Sequence, residues 1–281
     1  MFAKKLTLIA AVIVVGYFAT ATAHAASAGT WVSGTGTNNT SCSRTTPCQT
    51  FAQAIAVTES GGEIDCLDPG AFGAVTISIS VTINCEGSPN SSTTAITINN
   101  GNANVNLFGL EINAGTTPGG NGVAITAPAI VTIRNCKIYN YDTAGISFQP
   151  SSSGGFLLVD NVFISFASVG ISLASTNGAV INMSVRNSTL ADQNAGIIVG
   201  VNGSGHAGAT IEQTTIAANG TGLQVSGAHA VAIIGGSTIV NNPTGVSAID
   251  GGVIYSFKNN QIGGNGTDGT PLTAYPGGPL N

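Results

Sequence analysis

Ile133-Arg134-Asn135, Val159-Asp160-Asn161, Val185-Arg186-Asn187, Ile211-Glu212-Gln213, Ile234-Gly235-Gly236 and Phe257-Lys258-Asn259 are six versions of one motif, and their spacing decides the fold. Their first residues lie 26, 26, 26, 23 and 23 apart. Three residues beyond each motif comes an apolar residue: Ile138, Ile164, Leu190, Ile216, Ile239 and Ile262. Six or seven further on stands a glycine followed by an apolar residue, as in Gly145-Ile146, Gly170-Ile171, Gly196-Ile197, Gly222-Leu223 and Gly245-Val246. A constant period of this size implies a stack of equivalent units, each burying its apolar face against the next.

Within a unit the apolar residues alternate, as in Gly145-Ile146-Ser147-Phe148 and Gly222-Leu223-Gln224-Val225. Alternation marks short strands with one buried face. Each unit holds about three of them between Gly, Asn or Ser turns, with no room for the helices of leucine-rich, ankyrin or tetratricopeptide arrays. The expected fold is all-β: a single-stranded right-handed parallel β-helix whose coils lie ~4.8 Å apart. Residues 60–265 would supply about eight or nine coils, since Leu107-Phe108-Gly109 and Ile83-Asn84-Cys85 continue the pattern and Gly62 to Gly70 reads as a first coil. Thr50 to Ala56, with Phe51 and Ile55 four apart, reads as a short helix covering the open end, since an uncovered rung is a template for aggregation. It belongs to an N-terminal cap over 26–59, and 266–281 reads as an irregular tail.

Stacking in register predicts ladders. The third motif position gives the column Asn135, Asn161, Asn187, Gln213, Gly236 and Asn259, residue types that tolerate left-handed backbone or stack their amides. The column before it alternates in sign: Arg134, Asp160, Arg186, Glu212. We read it as a structural ion ladder, each exposed pair contributing under ~1 kcal/mol, rather than a catalytic row.

Residues 1–25 read as a signal peptide: Lys4 and Lys5, an apolar stretch from Leu6 to Phe18, then Ala23-His24-Ala25. That stretch falls short of the ~20 residues a spanning helix needs. The expectation is a secreted chain, periplasmic or extracellular, with no membrane span once processed. It keeps five basic residues (Arg44, Arg134, Lys137, Arg186, Lys258) against twelve acidic ones, so nucleic acid is excluded as a partner. Of five cysteines, the spacing suggests Cys42–Cys48 across a short turn and Cys66–Cys85 across one coil, leaving Cys136 as a small buried hydrophobe.

The Gly-Φ-x-Φ and Φ-x-Asn-x-x-Φ units (Φ apolar) make the chain similar to right-handed parallel β-helix proteins of the pectate-lyase-like superfamily. Thr30-Trp31-Val32-Ser33-Gly34, Cys42-Ser43-Arg44 and Pro47-Cys48-Gln49-Thr50-Phe51 resemble secreted bacterial members of unassigned function. The resemblance implies that lyases of this type bind Ca²⁺ through carboxylates and use Arg or Lys as base. It implies that the hydrolases use aspartates in Asn-x-Asp and Asp-Asp motifs with a Gly-His-Gly. Those residues would project from the Gly-Φ-x-Φ strand, whose outward positions here are Ser147, Ser172, Ile198, Gln224 and Ser247. None is ionisable, and acid–base cleavage needs titratable groups within reach of the bond broken.

Two metal readings remain beside this. His206 and His229 fall in one column on adjacent coils with Asp250 near the same edge, a set that would suit Zn²⁺ or Cu²⁺, or they are loop histidines facing water. Glu59, Glu63, Asp65 and Asp68 would suit Ca²⁺, or they are a turn and solvated side chains. Neither metal is required as a cofactor. The function read here is a non-catalytic module binding a glycan or surface polymer through Ser147, Ser172, Gln224 and Ser247, with Tyr139 and Tyr141 either as stacking rings or as packing side chains. The alternatives are a polysaccharide lyase or glycoside hydrolase on a uronic-acid-type polymer, and an adhesive rod binding proteins.

Overall fold

The computed structural model describes residues 26–116 and 119–276, and the expected signal peptide lies outside them. Alternating apolar residues build three faces around one core. The first face is an eleven-stranded parallel sheet, including Ser27–Val32, Thr58–Cys66, Val81–Asn84, Asn104–Phe108, Ile130–Arg134, Phe156–Asp160, Val180–Arg186, His206–Glu212, Ala230–Gly235 and Val253–Ser256. The second face carries Glu111–Asn113, Thr189–Ala191, Thr215–Ala217 and Thr238–Val240. The third carries Ile96–Ile98, Asn121–Ile125, Ala195–Val201, Thr221–Ser226 and Thr244–Ile249. Lys137–Phe148 and Phe163–Ser175 run from the second face into the third and join them into one sheet. The result is a right-handed parallel β-helix.

It makes about seven turns rather than the expected eight or nine. The lowest units are incomplete: their second-face strand shrinks to Ser92–Thr93, which pairs below only through the bridge Ala71↔Ser92. Pairing also extends past both expected limits. Ser27–Val32 lies parallel to Thr58–Cys66 with Thr30 buried against the Thr58 hydroxyl at 2.7 Å, and Thr267–Gly269 and Thr273–Ala274 continue the sheets above. These stretches are too short and polar to show alternation. Phe51–Val57 is the helix at the lower end, with the Thr50 side chain accepting from the Gln53 amide as its N-cap. Phe51 is fully buried on Phe72, ring centroids 4.8 Å apart.

The core is a set of axial columns. Ile83, Leu107, Ile133, Val159, Val185, Ile211 and Ile234 stand in register and are fully buried, each contributing roughly 1.5–3 kcal/mol by leaving water. The next rung departs from the expected alignment. Ile234 pairs with Ser256, not Phe257. Phe257 turns outward because Gly235 below it leaves room for the ring and Tyr275 packs beside it at 5.2 Å. Lys258 therefore takes the left-handed position (φ 65°) that Asn135, Asn161, Asn187, Gln213 and Gly236 hold below, and Asn259 instead accepts the Gly236 amide at 2.8 Å.

Several polar residues enter the interior where they bond along the axis. Between the second and third faces the Asn219, Asn242 and Asn265 side-chain amides accept backbone N–H groups in succession: Gln193 N to Asn219 Oδ1 (3.2 Å), Asn219 N to Asn242 Oδ1 (2.8 Å), Asn242 N to Asn265 Oδ1 (3.0 Å). Their NH₂ groups donate to coil carbonyls, Asn219 to Leu190 and Asn242 to Ile216. Between the first and second faces, Val162 N donates to Ser188 Oγ, Thr214 N to Ser237 Oγ and Ser237 N to Asn260 Oδ1. Cys136 occupies this same position one step lower, its sulfur accepting the Leu110 amide at 3.4 Å. Both expected disulfides are present, Cys42–Cys48 and Cys66–Cys85.

Two outcomes test this interior. Asn242→Ala orphans buried N–H and C=O groups on two coils, each costing roughly 1–3 kcal/mol, so a urea titration should show about 2–4 kcal/mol of lost stability; an unmoved midpoint contradicts the ladder. Burial pushes the Cys136 thiol up to about 12, leaving no thiolate near neutral pH. It should resist alkylation at pH 8 until the chain is unfolded, and Cys136→Ser should be tolerated because serine fills the equivalent site at Ser188 and Ser237.

Candidate functional site

The third face presents the row anticipated from sequence. Ser147 pairs with Ser172, Ser172 with Ile198, Ile198 with Gln224 and Gln224 with Ser247. All five are half-buried outward positions. Glycine precedes each strand because successive coils touch there: a Cβ on Gly196 would lie 2.5 Å from Ile216 and 2.7 Å from the Gly222 carbonyl. Beside the row stand Thr221, Thr244 and Thr267 in register, and on its other side Ala174, Gly200, Ser226 and Ile249. The surface these positions make is neutral and supplies hydroxyls and amides as hydrogen-bond partners.

The two tyrosines assigned to it are placed differently. Tyr141 is 2% exposed and its hydroxyl donates to the Thr94 carbonyl at 2.6 Å. It fills the corner where the second face becomes the third, so it is a core residue and not a stacking ring. Tyr139 is half-buried on the second face and donates its hydroxyl to the Glu111 carboxylate. Burial, then the bond to Glu111 and its charge, push the Tyr139 phenol up to about 12.

Arg134, Asp160, Arg186 and Glu212 do form one vertical row. The ion pairing within it is confined, among the described residues, to Asp160–Arg186 at 3.0 Å. Arg134 reaches down instead to Glu86 at 3.2 Å and lies 4.1 Å above the Phe108 ring. An aromatic face and a carboxylate on one side outweigh Asp160, which Arg186 and Asn187 already bind on the other. A depression of about 250 Å³ opens beside Glu86, Glu111, Asn135 and Lys137, but Glu86 is held by Arg134 and Asn135, and Glu111 by Tyr139.

His206, His229 and Asp250 do not assemble into a metal site. His229 Nδ1 faces the Gly205 carbonyl at 3.2 Å, while Asp250 accepts the Ser226 hydroxyl at 3.0 Å. Their shared column fixes backbone height, but His206 Nε2 lies near Gly208 in the strand it begins, whereas His229, just before Ala230–Gly235, turns its ring to the Gly205 carbonyl. Near the first coil, Asp68 caps Ser33 and Gly34, and Glu63 accepts from Asn84 at 3.0 Å. Burial, then the neighbouring Glu63, hold the Asp65 carboxyl above its usual range. No group of three or more His, Cys, Asp or Glu side chains is placed to hold a metal ion among the described residues.

Sequence reasoning missed a groove of about 520 Å³ on the first face. Its outward rows are Phe156, Asn182, Gly208 and Val231, and beside them Ser184, Thr210 and Ile233. Gly208 is the gap in the first row, and His206 closes one side. The only signal in the sequence is a glycine at an outward position that neighbouring units fill.

No family model matches this chain, and no curated protein matches it. The crystal structure of pectate lyase Pel9A is similar in fold, with a TM-score of 0.52 at 14% identity over 90% of this chain and 78% of that one. The chain thus has the pectate-lyase-like parallel β-helix fold.

The charged row yields a pH prediction. Burial pushes the Asp160 carboxyl up, but bonds from Asn187 and Arg186 and the charges of Arg186 and Arg134 outweigh it and hold the group below its usual range. A carboxyl depressed in the folded state stabilises above its unfolded pKa, roughly 4, and that stability fades as pH falls through the folded value. The stability difference between wild type and Asp160→Asn should therefore be present at pH 6, at under ~1 kcal/mol for so open a pair, and should shrink as the pH is lowered into the acid range. A difference that grows in acid would contradict the assignment.

Proposed function

We propose that this chain is a secreted, non-catalytic module that holds a polysaccharide along its third face. The observation that carries the reading is the in-register row of Ser147, Ser172, Gln224 and Ser247. Its positions recur once per coil, at ~4.8 Å, a step comparable to the advance of one sugar along an extended glycan, with Ile198 standing between the polar pairs on the middle coil. Hydroxyls and a carboxamide are both donors and acceptors, as sugar hydroxyls are. The row has no side chain suited to general acid–base work. Export is supported by the signal-like residues 1–25 and by two disulfides, which persist in oxidising compartments.

A second reading, cleavage of a uronic-acid-type polymer, is favoured by the fold likeness to a pectate lyase. The two readings separate in one assay. Wild-type protein incubated with insoluble polysaccharides should be retained, with no release of reducing ends and no unsaturated product in the ultraviolet. The combined Ser147→Ala, Ser172→Ala, Gln224→Ala and Ser247→Ala variant should lose retention at least about tenfold, given roughly 1 kcal/mol per neutral hydrogen bond. Product release by wild type, or undiminished retention by the variant, overturns the proposal.

A further inference from the structure

We infer that the first-face groove is a second carbohydrate site, one that takes the ring of a neutral sugar over Gly208. It lies on a different face from the Ser147–Ser247 row and stands independently of it. The inference begins with the floor. Gly208 faces outward in a row whose neighbours are Asn182 below and Val231 above. A Cβ at this position would lie 2.5 Å from Asn182 Oδ1 and 3.8 Å from His206 Nε2. An amide oxygen and an imidazole nitrogen thus converge on the space that a side chain would otherwise fill. One ligand hydroxyl seated there can donate to Asn182 and bond to His206 together.

The walls fit the same class of ligand. Phe156, two rungs below Gly208, is 39% exposed and offers its ring to the groove. Val231 and Ile233 line the upper end. Between these apolar surfaces Ser184 and Thr210 sit side by side on adjacent coils. A concave surface that is partly apolar, with a few convergent polar groups, is the ordinary character of a small-ligand site. A pyranose has this same mixed character: C–H groups on the faces of its ring and hydroxyls around its rim. The Asn182 side chain forms no hydrogen bond with another described group, unlike those of Asn106, Asn161 and Asn187, which all bond to neighbouring coils. Its amide is therefore available to a ligand.

Charge narrows the choice. The groove is lined by no Asp, Glu, Lys or Arg, so no permanent charge there faces a carboxylate or a phosphate. A neutral glycan is favoured over a uronate, and a volume of about 520 Å³ accommodates more than one ring.

The test is calorimetric titration of the full chain with cellohexaose, xylohexaose and mannohexaose, with a hexagalacturonate for comparison. At least one neutral hexasaccharide should bind, and more tightly than the uronate. Gly208→Val copies the residue found one rung higher, so the strand tolerates it while the floor is filled; it should weaken binding at least about tenfold. Phe156→Thr, which keeps a strand-compatible residue, should do the same. The four-alanine variant of the third face should still bind. If wild type takes none of the neutral hexasaccharides, prefers the uronate, or binds unchanged after Gly208→Val and Phe156→Thr, the inference fails. Loss confined to the third-face variant would likewise overturn it while leaving the third-face reading intact.

Discussion

Parallel pairing of each coil with the next, residue for residue, is the constraint from which the rest of this molecule follows. A side chain at one position has the equivalent side chain of the next coil ~4.8 Å above it. Inward positions must therefore be apolar or able to bond to their own kind. Ile133, Val159, Val185 and Ile211 meet the first condition, and Asn219 and Asn242 the second. The same rule gives Cys136 its place, since it occupies a turn position where Ser188 and Ser237 accept a backbone amide from the coil below. Outward positions are free of the apolar requirement, but like charges would stack, and the main charged row accordingly alternates in sign.

That periodicity made the core and the first-face rows legible without coordinates, because one apolar residue per 23 or 26 fixes the phase of everything between. The phase was lost where side-chain size competed with it. Phe257 looked like the next core residue, but Gly235 and Tyr275 give its ring a better place outside and Ser256 goes in. Tyr141 was open between a stacking ring and a packing side chain, and it is a corner plug, beside the register shift between Tyr141 and Ala144. The amide ladder through Gln193, Asn219 and Asn242 was visible as a residue three before each glycine, yet a search keyed to the Φ-x-Asn motif passed over it. His206 and His229 show the limit of column reasoning, which gives the height of a residue and not the direction of its ring.

Functionally, the molecule separates two kinds of surface. Charged side chains gather where the first face turns into the second, and they are largely spent on one another, as in Asp160–Arg186 and Arg134–Glu86. The third face and the first-face groove are neutral and rich in hydroxyl and amide groups. The fold is shared with a pectate lyase, but a fold fixes only where groups stand, and activity depends on which groups stand there.

The register of the third face can be measured directly with paired cysteines. Gln224→Cys with Ser247→Cys places two thiols directly opposite each other on adjacent coils, as Cys66 and Cys85 are naturally placed with Cα atoms 4.8 Å apart. Gln224→Cys with Ile249→Cys sets the second thiol two residues along, beyond the ~7 Å that a disulfide can bridge. Under mild oxidation of the folded protein, mass spectrometry should find the first pair linked and the second pair free. A preferential link between positions 224 and 249 would mean the coils are stacked in another phase, and the neutral row on which binding is proposed would not exist.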